Sequence, residues 1–451
     1  HKRKRNKHSG HWMGKKQRRI KQYLFTMSTK INELFLPLYT SKKRYFLATG
    51  GRGSLKSTTV HDFIVRLSYE KGHGILILRY TLTSAEKSVI PEFKSALERL
   101  NVESDFEITG TKIINKHSGS FILFSGIKTS SGNQTANLKS LAGITTVLIE
   151  EGEDFVDEKA FDAIDDSVRA VGVQNRIIWI QNPTTREHFI YKRWIEPKNK
   201  VINRYGYDVT VSNMDNVEHI HTTYHIAKDL NYLNETFLEK AETYKLEAEK
   251  QELKEKGAKY KTHYYYNYIG GWKERADGTV FNYVVGAFND KLPLRCLHLD
   301  WGYNPDPLAV GEIAIDSRNK KIYVREKIYS TMINDVPTAL LNAGINKRDL
   351  IICDTSEPRT KTNVQSKGFN IQNAVKNLIK DDIREISQYE IILDPDSSNY
   401  KIELDNYVWN DKKASIPIDK YNHLLDGMRY GFNRLTKKVS FSEAVGSPQL
   451  F

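Results

Sequence analysis

Apolar residues in this chain fall into short blocks. In the first half, strand-like runs at 45–49, 74–79, 120–124, 145–149 and 176–180 alternate with helical or loop stretches. Strands alternating with helices predict a mainly parallel α/β sheet. The first run is followed by a glycine turn at 50–54 and a helix to about residue 69. A Glu, Lys, Ala and Leu stretch at 237–261 predicts an exposed helix with i,i+4 charge pairs, and the plain reading of it is a solvated helix. Gly270, Gly271 and Gly278 place a domain junction in 268–278. Beyond it, runs at 294–300, 321–329 and 350–354 predict sheet strands, and 422–433 predicts a helix. No internal repeat is visible.

Length and charge refine this picture. At 451 residues the chain exceeds what one hydrophobic core usually organises, so two domains are expected. No apolar run approaches the roughly 20 residues of a membrane span, and no signal-peptide core is present, which points to a cytoplasmic protein without membrane contact. Cys296 and Cys353 are too few for a disulfide framework, and both read as buried strand residues. The net charge of +13 is concentrated at the start: residues 1–22 carry 10 Lys and Arg and no acid. The remaining 58 basic against 55 acidic residues leave a body of only +3. Residues 1–26 are therefore either a disordered basic arm for nucleic acid or a stretch upstream of a start at Met27.

The candidate chemistry sits at the ends of the predicted strands. Gly50-Gly51-Arg52-Gly53-Ser54-Leu55-Lys56-Ser57-Thr58 lies between a strand and a helix, the context of a phosphate-binding loop. Small residues allow backbone amides to curl around a phosphate. Lys56 would bridge the β- and γ-phosphates, and Ser57 would ligate Mg2+. Leu55 stands where such loops usually carry glycine. The strand at 145–149 ends in Glu150 and Glu151; Glu150 would hold Mg2+ and Glu151 would polarise the attacking water, with a solvated acidic loop including Glu153 and Asp154 as the alternative. Gln181, Asn182 and Thr184, after another strand, could sense the γ-phosphate. In the second half, Asp300 and Asp354 end strands and Asp426 lies on a helix. Three such acids at one end of a sheet can hold two divalent ions about 4 Å apart and cut a phosphodiester. His423, one turn from Asp426, could orient a ligand or be merely structural.

These pieces, in this order over about residues 27–435, resemble the terminase large subunit family of tailed double-stranded DNA phages. The resemblance rests on the Gly-Gly-Arg-Gly-Ser loop, the Glu150-Glu151 strand end, Gln181-Asn182-Pro183-Thr184 and the Asp300, Asp354, Asp426 series. Supporting stretches are Phe35 to Tyr39 with Lys43-Arg44-Tyr45, His221 to Tyr224, and Gly271-Trp272. It implies a P-loop ATPase domain at 27–272, with a parallel sheet, flanking helices and a helical lid or linker near 225–272. An RNase H-like nuclease domain with a mixed sheet and helices at 277–440 and a tail at 441–451 would follow. The implied cofactors are ATP with Mg2+, and two Mg2+ or Mn2+ ions in the nuclease. The implied partners are double-stranded DNA, a procapsid portal protein, a small terminase subunit and a homo-oligomeric ring on the portal, with a monomer in isolation. The implied setting is the host cytoplasm, transiently at the portal vertex. The segment before the loop would contact adenine, Arg52 could reach the γ-phosphate, and Lys139 is the nearest basic residue to the place of a trans-acting arginine. An ATP-dependent helicase-nuclease of defence or repair, a non-enzymatic nucleic-acid binder, and a resolvase or transposase are the competing readings.

Overall fold

The computed structural model describes residues 31–81, 88–128, 143–155, 157–302, 306–331, 333, 335–410 and 416–436. The basic arm at 1–26, Lys139 and the tail at 441–451 lie outside the described residues. The chain divides into two compact units, His1–Lys273 and Glu274–Phe451.

Among the described residues, the first unit is built on an eight-stranded sheet. In chain order its strands are β1 (Tyr45–Gly50), β2 (Gly74–Thr81), β3 (Phe106–Thr109), β4 (Lys112–Asn115), β5 (Phe121–Lys128), β6 (Ile144–Ile149), β7 (Arg176–Gln181) and β10 (Val217–Thr222). Strands β8 (Asn199–Arg204) and β9 (Tyr207–Ser212) form a separate antiparallel pair. The sheet order is β10-β1-β7-β6-β2-β5-β4-β3, parallel from β10 to β5 and antiparallel only at the β4 and β3 edge. Parallel strands covered on both faces need apolar side chains in both directions, and these strands have them. Phe46, Ala48, Ile75, Ile77, Leu148, Ile178 and Ile180 pack on one face, and Leu47, Leu76, Leu78, Val147, Ile149, Ile177 and Trp179 on the other. Helix α1 (Lys56–Leu67) and α2 (Ile90–Leu100) cover the first face; α3 (Glu158–Ser167) and α4 (Phe189–Trp194) cover the second.

The long helix α5 (Glu235–Lys254) is the exposed helix expected there, with Lys245 and Glu249 paired at i,i+4, but one stripe of it is buried. Ala241 and Ala248, seven residues apart on one stripe, are fully buried in a cluster with Tyr207, Tyr224, Tyr264 and Tyr268. The small alanines let these rings close onto the helix. No helix among the described residues is long and apolar enough to cross a membrane.

The second unit carries a seven-stranded mixed sheet, in the order β11-β17-β14-β13-β12-β15-β16. Its strands are β11 (Tyr283–Val285), β12 (Arg295–Asp300), β13 (Leu308–Asp316), β14 (Lys321–Ser330), β15 (Ile351–Cys353), β16 (Ile371–Asn373) and β17 (Glu390–Leu393). Strand β12 runs antiparallel to β13 but parallel to β15. Helix α6 (Ser398–Asn406) precedes α7 (His423–Thr436), which lies on β12 and β13. Gly427 and Gly431, one turn apart, permit this close seat: a Cβ on Gly427 would stand 2.2 Å from His298 Nδ1, and one on Gly431 2.6 Å from Ile313 Cγ2. Cys296 and Cys353 are buried strand residues with free thiols.

Candidate functional site

In the first unit, β1, β7 and β6 are neighbours, so their C-terminal ends bring the glycine turn, Gln181-Asn182 and Glu150-Glu151 to one edge of the sheet. Such strand ends are where open α/β sheets bind ligands. The turn after β1 is tight because backbone packs on backbone. A Cβ on Gly50 would lie 2.0 Å from the Thr222 carbonyl oxygen, and one on Gly51 2.3 Å from that of Tyr268. Tyr268 belongs to a π-helical turn (Tyr265–Ile269), and the neighbouring Asn267 carbonyl accepts the Arg52 amide at 2.7 Å. The stretch that begins the expected junction thus supports the turn. Leu55 takes the glycine position by adopting a left-handed backbone, φ 56°, a conformation that ordinarily favours glycine.

Helix α1 then begins at Lys56 with no side chain capping its first turn, so its leading amides face the cavity end uncapped. Lys56 is buried, with Nζ donating to the Gly50 and Gly51 carbonyls (both 2.9 Å), to Ser54 Oγ (3.0 Å) and to Asn182 Oδ1 (3.0 Å). Burial lowers its pKa to about 8 against the opposing pull of Glu153 and Glu150. Ser57 Oγ donates to Glu150 Oε2 at 3.0 Å. These groups line a cavity of about 340 Å³ together with Arg52, Gly53, Ser54, Thr58, Glu151, Glu153, Gln181 and Asn182.

Among the expected coupling residues the structure separates three cases. Asn182 is central: besides accepting from Lys56, it donates through Nδ2 and its amide to Glu153, at 2.8 and 3.2 Å. Gln181 lines the cavity, and its Oε1 accepts the Trp179 indole N–H at 2.5 Å. Because an indole can only donate, the other end of the amide is Nε2, buried and without a hydrogen-bond partner among the described residues. Thr184 does not line the cavity. Glu151 has a left-handed backbone and a partly exposed carboxylate paired with Arg79 at the end of β2. The alternative of a solvated acidic loop fails for Glu153, which is buried enough for its pKa to be raised. Arg79 and Glu153 were missed because their partners lie on other strands. An uncapped helix start, a buried ammonium and an orphaned amide donor around one cavity fit a polyphosphate, and the Ser57–Glu150 pair fits a divalent cation beside it.

In the second unit, Asp300 ends β12 and Asp354 follows β15, side by side because Leu299 pairs with Cys353 in parallel register. Asp426 lies in the first turn of α7, which the glycine contacts hold against β12. The three acids reach one region: burial raises the Asp300 pKa, and the charges of Asp426 and Asp354 add to it. Burial also raises Asp426, against the lowering effect of Arg429. At Asp354 burial is outweighed by the Lys376 ammonium and the Thr355 amide, so its pKa is lowered. Each acid has its own basic partner: His423 Nδ1 at 2.9 Å from Asp300, Lys376 Nζ at 2.5 Å from Asp354, and Arg429 at 2.7 Å from Asp426. Among the described residues no three His, Cys, Asp or Glu side chains are yet gathered at ligating distance of a common point. Three carboxylates brought to one region suit divalent ions, which would replace the three partners. The His423 pKa is raised by its bond to Asp300. Beneath α7, the buried Glu403 accepts the Leu424 and Leu425 amides at 2.8 and 3.1 Å, capping the helix that carries Asp426; sequence reasoning missed it because the cap comes from another helix.

Comparison with known proteins places the chain. The family model described as phage terminase large subunit matches residues 42–263, within the first unit, and the terminase RNase H-like domain model matches residues 300–434, within the second. The terminase large subunit of Bacillus phage SPP1 is 26% identical over 447 residues, covering 92% of this chain and 98% of that protein. The PBSX phage terminase large subunit of Bacillus subtilis is 22% identical, covering 75% of this chain and 77% of that protein. Among solved structures, the large terminase of a thermophilic bacteriophage aligns over 91% of this chain and 100% of its own, with 17% identity and a TM-score of 0.40. The chain belongs to the phage terminase large subunit family, with a terminase RNase H-like domain in its second half.

Proposed function

We propose that the first unit binds ATP with Mg2+ across the ends of β1, β6 and β7, and that the second cuts double-stranded viral DNA with two Mg2+ or Mn2+ ions held by Asp300, Asp354 and Asp426. The observation that carries the first half is a pair of hydrogen-bonded systems at three neighbouring strand ends: Lys56 with Asn182 and Asn182 with Glu153, and beside them Ser57 with Glu150. In this reading the amides of the turn and the start of α1 hold the phosphates, and Lys56 exchanges its carbonyl partners for β- and γ-oxygens. Ser57 and Glu150 hold the cation, which supplies charge neutralisation when bound. Glu151, released from Arg79, polarises water, and the orphaned Gln181 Nε2 addresses the γ-phosphate or that water. Asn182 then reports the state of Lys56 to Glu153, which is a physical route for coupling. Thr184 has no such contact and is left out of the route.

In the second unit, His423 orients Asp300, and α7, seated by Gly427, brings Asp426 to it. Family membership supports the wider role: translocation of DNA into a procapsid and cleavage of concatemers, with the portal protein and a small terminase subunit as partners. The chain would be monomeric alone and a homo-oligomeric ring on the portal, in the host cytoplasm. The test is Mg2+-dependent ATP hydrolysis by the full chain, alone and with procapsids and DNA. Wild type hydrolyses ATP and fills procapsids, and Glu150→Ala does neither. Hydrolysis undiminished in Glu150→Ala contradicts the assignment of the cation site.

A further inference from the structure

Helix α1 sets two side chains on the carboxylate at the end of β6, and the loop motif accounts for only one. Ser57 Oγ donates to Glu150 Oε2. One turn later, at i+4 and hence on the same side of the helix, His61 places Nε2 3.1 Å from Glu150 Oε1. His61 is fully buried and Glu150 is 4% exposed. The Phe93 ring, 5.8 Å away and edge-on, packs against the imidazole. Neither His61 nitrogen nor Glu150 Oε1 makes a well-directed hydrogen bond to a described residue, so the two groups meet at ion-pair distance but off line. Buried polar atoms held this way are destabilising. A phenylalanine or leucine in the same core position would avoid that cost.

We propose that His61 is a positioning residue for the ATPase cation site: it holds Oε1 of Glu150, leaving Oε2 to face Ser57 and the phosphate cavity. The inference rests on the reading of Ser57 and Glu150 as cation ligands. Groups that orient a metal-binding carboxylate act on metal affinity, typically by 10- to 100-fold, and leave metal-free phosphate contacts alone.

The experiment is calorimetric titration of the full chain with a non-hydrolysable ATP analogue, in Mg2+ and in EDTA. In wild type, affinity is higher in Mg2+. His61→Phe loses about tenfold of that Mg2+ gain while its affinity in EDTA is unchanged. His61→Gln, whose amide nitrogen reaches the place of Nε2, recovers most of it. His61→Asn keeps a donor that cannot reach, and loses it again, so the comparison does not hang on the phenylalanine folding. A Mg2+ gain equal in all four proteins, or a loss equal in Mg2+ and EDTA, overturns the role of His61. No Mg2+ gain in wild type overturns instead the reading of Ser57 and Glu150.

Discussion

The two units place their candidate chemistry alike, at the ends of sheet strands, but assemble it differently. In the first, neutral and charged groups are largely paired with one another: Lys56 has four acceptors, Ser57 holds Glu150 and Asn182 holds Glu153. In the second, three carboxylates face one region, each held by its own basic side chain, His423, Lys376 or Arg429. The difference follows from charge. An anion cradle is made of backbone amides, one ammonium and side-chain dipoles that can stand close together. Like-charged carboxylates cannot do so without counter-ions. The first set of groups is thus tied together by the chain's own hydrogen bonds, whereas the second is one that divalent ions would gather.

The largest effect expected to separate the two sites is that of Lys56→Ala. Removing the one ammonium aimed at the phosphates should lower ATP hydrolysis at least about 100-fold while metal-dependent DNA cleavage stays within about twofold of wild type. Loss of both activities in a folded variant would break the separation. Next in size is the pH response of the second unit's scaffold. Burial raises the Glu403 pKa to about 7, so the folded protein holds this proton more tightly than the unfolded chain does. Stability from this group is greatest below the ordinary carboxylate range and is lost as pH rises towards 7, by on the order of 3 kcal/mol. Thermal unfolding of Glu403→Gln should lack that slope between about pH 4.5 and 7, and an unchanged slope contradicts the assignment.

Nucleotide affinity sharpens the other side. With the free Lys56 pKa lowered to about 8, the ammonium proposed to attract phosphate is lost above that pH. Affinity should then fall about tenfold per unit as pH rises beyond 8, and a flat titration to pH 9.5 would count against it. The smallest expected effect tests the competition at the second site. Lys376 is half exposed, so its bond to Asp354 is a weak one. Lys376→Met should tighten Mn2+ binding about threefold, measured by calorimetry, and weaker binding would mean that Lys376 helps to hold the site together.

What the sequence disclosed and what it withheld divide along a physical line. The glycine turn, the strand ends at Glu150 and Asp300 and the start of α7 were legible because consecutive residues carry both the element and the chemistry. His61, Arg79, Glu153 and Glu403 were not. Each matters through a partner far away in the chain, and an isolated buried histidine or acid gives no local signal of it. Strand β13 was also passed over: its Leu308 to Ile315 stretch is buried throughout, so it lacks the alternation that marks a half-exposed strand. Leu55 looked like a defect in the phosphate loop. The structure accommodates it with a left-handed backbone, the conformation that a glycine there would adopt more readily.

The account's central claim is that Asp300, Asp354 and Asp426 form one metal-dependent nuclease site independent of the ATP cavity. Its most direct test is cleavage of supercoiled plasmid by the full chain in Mn2+, with Asp300→Ala beside wild type and ATP hydrolysis followed in both. The account predicts cutting by wild type, loss of at least about 1000-fold in Asp300→Ala, and hydrolysis preserved. Undiminished cutting by a folded Asp300→Ala protein would contradict it.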